Sequence, residues 1–241
     1  MYRLLLLLGF AVSSCAPAYI ANTRNVPLFG EANEFAGSVA LSSGIDAQLA
    51  YSFSDHIAVM VNANTVIKKI TPKDDASFNR NHFFGEAGIG YFTRTKAARF
   101  ELFGGLGMGQ GNSYESFFFF GTKELVAKGT YNRIFFQPSI GTNKKKFNIM
   151  FTARVSMVGF QKFTTDTPSP GSPGEYKPTD GYHTFFEPSI TLRSHLAGNL
   201  RGFFQLGINK PFNDDVYFSS VPVQAAIGIQ IHTGQLRTRV Y

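Results

Sequence analysis

From about residue 34 to about residue 232 the chain alternates apolar and polar positions with a period of two, in runs of strand length separated by turn residues. The pattern predicts ten strands, roughly over 34–42, 45–54, 56–67, 81–93, 99–111, 129–142, 147–162, 181–194, 199–209 and 221–232. Five of these runs share a local motif: Gln48-Leu-Ala-Tyr, Glu86-Ala-Gly-Ile, Gln137-Pro-Ser-Ile, Glu187-Pro-Ser-Ile and Gln224-Ala-Ala-Ile. In three copies a pair of Phe stands just before it, as Phe83-Phe84, Phe135-Phe136 and Phe185-Phe186. A repeat of that size is one β-hairpin, and a series of hairpins with nothing else to cover its apolar face closes into a barrel.

Placing the repeated Gln and Glu toward the lumen sets the parity of the even strands, and the opposite face then comes out apolar. It carries Ile45, Leu49 and Tyr51, then Ile134, Phe136 and Ile140, then Phe186, Ile190 and Leu192, and last Val223, Ile227, Ile229 and Ile231. The connections give a second signal. Ser54-Asp55, Thr95 to Ala98, Thr142 to Lys146 and His195 to Gly198 are tight, whereas Lys68 to Arg80, Asn112 to Lys128, Thr164 to Asp180 and Lys210 to Ser220 are long. Short periplasmic turns alternating with long external loops mark an outer-membrane barrel. Only Ser42 to Gly44 breaks the rule, as a short external turn. The fold expected is all-β: an antiparallel up-and-down transmembrane β-barrel of about ten strands, with eight as the alternative count.

The amino terminus adds an address. Arg3 precedes an apolar run from Leu4 to Val12, too short for a membrane-spanning helix and of signal-peptide length. Val12-Ser13-Ser14-Cys15 resembles a lipobox, and the chain's one cysteine stands at its acylated position. The other reading is an ordinary signal cleaved near Ala16 or Ala18. On the first, residues 1–14 are a lipoprotein signal peptide, Cys15 is the lipidation site, 15–33 form a periplasmic tether and 34–241 the barrel. Both chain ends are then expected on the periplasmic side.

The lipobox, the stretch Asn25-Val-Pro-Leu-Phe29 and the run from Asp46 to Met60 together resemble small outer-membrane β-barrel lipoproteins of the Bacteroidota. That resemblance implies a location and no activity. It also implies an anchor in the periplasmic leaflet, because the acidic cluster that marks surface-directed lipoproteins of this type does not follow Cys15.

Charge is sparse, and the inward parity collects much of it. Asp46, Glu86, Glu101 and Glu187 face Arg99, Arg133, Arg154, Arg193 and Arg201, with Gln48, Gln137, Gln205 and Gln224 between them. Buried charges must be paired, so the set reads as a neutralised, packed lumen. A charged path for a small solute is the other reading. The net charge of +7 reflects a basic belt at the periplasmic rim, including Arg94, Lys96, Arg99, Lys144 to Lys146, Arg193, Arg201, Arg237 and Arg239. Such a belt suits outer-membrane lipid phosphates and not nucleic acid.

Catalytic pairings are Asp74-Asp75 with His82, Asp180 with His183, and Asp214-Asp215, all near loops where acids more often form turns. Ser194-His195 falls on a periplasmic turn. No Gly-x-Ser-x-Gly or His-Glu-x-x-His motif occurs, and the five scattered His give no metal-ligand spacing. The chain is therefore read as non-enzymatic, without cofactor or metal. One oddity stands out: Phe117, Phe118, Phe119 and Phe120 lie beyond the membrane band. They plug the barrel mouth, rest at the outer-leaflet boundary, or meet a partner protein of the outer membrane. The function expected is a structural or accessory interaction component, with a narrow solute channel second and a rim hydrolase third.

Overall fold

The computed structural model describes residues 17–70, 78–117, 123–169, 172–174, 181–213, 216 and 218–234. Alternating apolar and polar side chains form strands because each strand has one face in each of two solvents. The elements are β1 (Phe35–Leu41), β2 (Ile45–Ser52), β3 (Ile57–Ile70), β4 (Phe78–Arg94), β5 (Ala98–Phe117), β6 (Lys123–Thr142), β7 (Phe147–Ser169), β8 (Ser172–Gly174), β9 (His183–Ala197), β10 (Leu200–Ile208), β11 (Lys210–Pro211) and β12 (Val223–His232). β8 and β11 only fold back on β7 and β9. The other ten make a closed antiparallel barrel with no helix among the described residues. Closure joins β12 to β1, from Ala36↔His232 to Leu41↔Ile227.

The ten predicted strands are the ten observed, with β4 to β7 running further outward than the alternation suggested. The wall is accordingly uneven. β1 has 7 residues and β2 has 8, against 20 in β5 and 23 in β7. The short external turn Ser42 to Gly44 marks the low side. Gly44 is required there, because a Cβ on it would lie 2.1 Å from the Thr65 carbonyl oxygen.

Outside, Leu49, Val61, Ile89, Leu106, Phe136, Phe151, Leu206 and Ile229 stand about half exposed in one continuous band. A band that wide is not left facing water; its solvent is hydrocarbon. Its upper edge runs through Phe83 and Met108, above which the outward positions of β4 and β5 turn polar at Asn81, Gln110 and Asn112. Inside, the buried residues form three layers. An aromatic layer at the long-loop mouth holds Phe84, Tyr131, Phe160, Phe163, Phe185 and Phe218. Polar side chains fill the middle, and Phe92, Phe103, Phe135 and Met60 close the short-turn end.

The expected periplasmic tether is not outside the barrel. Ala18 to Phe29 cross the lumen, and every residue along this path is buried. Barrel width grows with strand number, and eight strands already give an interior that side chains can fill. Ten strands leave room for an extended main chain as well. At the long-loop mouth Ala18 N–H donates to the Ser219 carbonyl (3.0 Å) and Ser113 Oγ donates to the Pro17 carbonyl (2.7 Å). At the other end Phe29 packs on Phe92 and His232, with ring centroids 5.7 and 6.0 Å away. Pro17 therefore stands opposite the side where both chain ends were expected.

Below the lumen the chain reverses to enter β1. Leu28 (φ 58°) and Asn33 (φ 63°) both take the left-handed region, which for a residue like Leu costs roughly 1–2 kcal/mol. The turn is held by Gly30 N–H to Glu34 Oε2 (2.6 Å), Asn33 N–H to the Ser52 carbonyl (2.6 Å) and Ala32 N–H to Asp55 Oδ1 (3.0 Å). Burial pushes the Glu34 carboxyl up, against the opposing pull of that Gly30 N–H and of the Arg99 guanidinium.

Ile227 is 64% exposed, opposite Phe204 and Leu41 on the outer wall. Ile227→Arg should impair assembly at a cost set by its depth, from roughly 0–1 kcal/mol near the interface to roughly 2–4 kcal/mol at the bilayer midplane. The fraction of heat-modifiable folded protein in membranes measures it, and an unchanged fraction would place Ile227 away from lipid.

Candidate functional site

The five repeated Gln and Glu all bind the crossing segment. Gln48 Nε2 donates to the Thr23 carbonyl (2.6 Å), Gln137 Nε2 to the Asn25 carbonyl (2.8 Å) and Gln224 Nε2 to the Ala21 carbonyl (2.8 Å). Glu86 Oε1 accepts from Asn22 Nδ2 (2.9 Å) and Glu187 Oε1 from the Tyr19 hydroxyl (2.6 Å). The motif recurs because each of these strands presents an inward polar side chain to the segment, whose buried peptide and side-chain polar groups need partners wherever they pass. Gln205, on β10, makes a two-way contact: its Oε1 accepts from Arg24 N–H (2.8 Å) and its Nε2 donates to the Arg24 carbonyl (2.9 Å).

Charge is concentrated in the same belt. Glu86 pairs with Arg133 at short range and with Arg154 at 3.6 Å; Glu187 lies 3.9 Å from both Arg154 and Arg24. The segment's own side chains knit this cluster together. Asn22 Oδ1 accepts from Arg133 Nη2 (2.7 Å) and Arg154 Nη1 (2.9 Å). The Tyr19 hydroxyl accepts from Arg133 Nη1 (2.9 Å) while donating to Glu187. Arg154 also donates from Nε to Gln137 Oε1 (2.8 Å). Asp46 accepts from both Thr23 N–H (3.1 Å) and Thr23 Oγ (2.8 Å).

Nearer the short-turn mouth the wall again addresses peptide groups. Arg193 Nη1 donates to the Val26 and Pro27 carbonyls (both 3.2 Å), Arg99 Nη1 to the Leu28 carbonyl, and Glu101 Oε1 accepts from Phe29 N–H (2.8 Å). Arg201 stands apart from the segment and donates to Asn148 Oδ1 (3.2 Å). Thus Asp46, Gln48, Glu86, Glu101, Arg133, Gln137, Arg154, Glu187, Arg193 and Gln224 converge on one strand of chain. Arg99, Arg193 and Arg201, also read as part of a lipid-facing basic belt, turn inward and are buried. Arg94, Lys96 and Lys144 to Lys146 are exposed at that rim, while Arg237 and Arg239 fall outside the described residues.

Little free space is left in the belt. Between Arg24, Gln48, Arg193, Gln205 and Gln230 a water-sized molecule has ≈ 10 Å³, on the order of one water.

Of the other candidates, the histidines are described. His82 Nε2 lies 2.7 Å from the Tyr131 hydroxyl within the aromatic layer, and His183 stacks edge-on to Phe218 at 5.6 Å. His195 Nε2 meets the Gly198 carbonyl (3.0 Å) in a short turn. Asp74, Asp75, Asp180, Asp214, Asp215 and Cys15 lie outside the described residues, as do Phe118 to Phe120; Phe117 ends β5.

The residues that pattern reading missed are those of the segment: Tyr19, Asn22, Thr23, Arg24 and Asn25. One trace of them was present. Of the successive inward glycines of β5, Gly105, Gly107 and Gly109 make room for the wall's own Phe135, Phe84 and Tyr131, and Gly111 for the segment. A Cβ on Gly111 would lie 2.6 Å from the Ala18 carbonyl oxygen. On Gly141 it would meet Leu28 Cδ1 at 2.6 Å, and on Gly207 Arg24 Nη1 at 3.1 Å.

No protein-family model matches the chain, and no curated protein does. Among solved structures it is similar to the translocator domain of the autotransporter NalP from Neisseria meningitidis, at 11% identity over 83% of this chain and 86% of that one, with a TM-score of 0.46. The KdgM porin is 10% identical over 82% of this chain and 98% of its own, with a TM-score of 0.37. OmpT, an outer membrane protein of Vibrio cholerae, is 9% identical over 83% and 95%, with a TM-score of 0.20. None reaches 0.5, and none lends this chain a function.

Glu86→Ala should leave buried Arg133 without its carboxylate and Arg154 with Glu187 alone, at a cost of roughly 3–5 kcal/mol. Urea titration of the folded, heat-modifiable form should show it. The Glu86→Ala, Asn22→Ala double variant should be less destabilised than the sum of the singles, since the two share partners. Additive losses would mean that segment and wall are independent.

Proposed function

We propose that this chain is a lipid-anchored outer-membrane barrel that stops its own lumen, acting as a structural or interaction component of that membrane without catalytic chemistry. The observation that carries the reading is the burial of Ala18 to Phe29 inside the barrel, with wall side chains bonded to the peptide groups at Ala21, Thr23, Arg24, Asn25, Val26, Pro27, Leu28 and Phe29. Such occupancy leaves no aqueous column through the polar layer. The aromatic layer above it and the apolar layer below exclude water from the same path. The apolar outer band supports the membrane setting, and alternating short turns and long loops support an outer membrane with the short turns in the periplasm. Acylation of Cys15 rests on the lipobox-like run that ends there.

A narrow channel is the second reading, and one observation favours it. Backbone pairing between segment and wall is confined, among the described residues, to a bridge between Tyr19 and Ser220 and the bonds around it. Everything else is side-chain contact, which can be exchanged without tearing a ladder.

In planar bilayers the wild type should be electrically silent. A variant carrying Tyr19→Ala, Asn22→Ala and Arg24→Ala should conduct, since it removes the segment's main holds without touching a membrane-spanning strand. Steady wild-type conductance would favour the channel. Separately, Cys15→Ser should abolish incorporation of labelled fatty acid, and an unlabelled wild type would remove the anchor from the reading.

A further inference from the structure

The route of the segment sets which face of the membrane the amino terminus reaches. Pro17 and Ala18 sit between Ser113 and Gly111 of β5 on one side and Ser219 on the other. On β5, Ser113 is five residues beyond Met108, the last apolar outward residue among those of that strand whose side chains are described. At ~3.3 Å per residue and a strand tilt of ~40° this is roughly 12 Å above the hydrocarbon edge. The low wall at Ser42 to Gly44 ends near that edge, because Leu41 pairs with Ile45, Ile45 with Thr65, and Thr65 with Phe83. Among the described residues, β1 and β2 do not continue beyond that turn.

We infer that the amino terminus of the mature chain is displayed on the long-loop face, so that acyl chains carried by Cys15 enter the outer leaflet and not the periplasmic one. The inference rests on the acylation proposed above and deepens it. Distance decides between the leaflets. Cys15 stands two residues before Pro17, a reach of at most ~7 Å, whereas the headgroups of the periplasmic leaflet lie beyond an apolar band ~25 Å tall. The lumen offers no way back, being filled by the segment itself. An anchor at the outer end also holds the segment at both ends, by lipid above and by β1 below. The barrel is then a device that carries its own amino terminus across the membrane and keeps it there.

The test uses the full chain in intact cells. An epitope inserted between Ala16 and Pro17 should bind antibody on intact cells, while the same epitope between Gly198 and Asn199 should bind only after the outer membrane is permeabilised. A second measurement avoids the insertion. In the otherwise unchanged chain, Pro17→Cys paired with Ser113→Cys should be bridged by a short bis-maleimide, and Pro17→Cys paired with Asn199→Cys should not. Binding at the 16/17 insertion only after permeabilisation, or antibody binding at Gly198 to Asn199 on intact cells, would overturn the inference, as would the reverse crosslinking pattern. Loss of acylation would show as missing fatty-acid label, whatever the epitope does, and would sink the anchor while sparing the route.

Discussion

Ionised groups in a space that water cannot enter must find their partners within it, and this constraint organises the lumen. Glu86, Glu187, Arg133 and Arg154 come from four different strands, and no hairpin satisfies them alone. They meet because the barrel closes. Even then the set is incomplete without Asn22, whose amide oxygen serves both arginines, and Tyr19, whose hydroxyl links Arg133 to Glu187. Arg24 adds a third cation beside Glu187. Wall and segment are one polar unit, and neither is fully bonded without the other.

The layers above and below follow from the same need. Low dielectric strengthens the central pairs only while water is kept out. The aromatic cluster around Tyr131, Phe160, Phe185 and Phe218 does this at one mouth, and Tyr19 joins it with its ring while its hydroxyl reaches the polar layer. At the other mouth Phe29, Phe92, Phe103 and Phe135 do the same. Leu28 in a left-handed conformation is the local strain that accompanies the exit, and Arg99 and Glu101 hold the carbonyl and the N–H of the peptide group between Leu28 and Phe29.

Strand number, parity and outward face were legible in the chain because each is a local consequence of period two. A residue such as Ile227 or Glu86 declares its side by what precedes and follows it by two positions. Even the repeated Gln and Glu declared that they faced inward, and the inward Phe84, Phe135 and Phe185 keep the same phase two residues before them. The short turn at Ser42 to Gly44, which broke the loop pattern, is the low point of the wall.

What those side chains faced was a different kind of question. Ala16 to Asn33 has no periodicity, and its prolines and asparagines suit a free tether as well as a strand held by other groups. The inward glycines of β5 pointed to missing volume without saying what would fill it. Only the closed barrel brings residues more than a hundred positions apart in the chain, such as Asn22 and Arg133, within one hydrogen bond. The sequence by itself determined a ten-stranded membrane barrel with a polar interior, since alternation is written residue by residue. That the interior holds the chain's own amino-terminal segment, and in which direction, was decided by tertiary structure alone, because lumen width and the match of donors to acceptors exist only once the last strand has met the first.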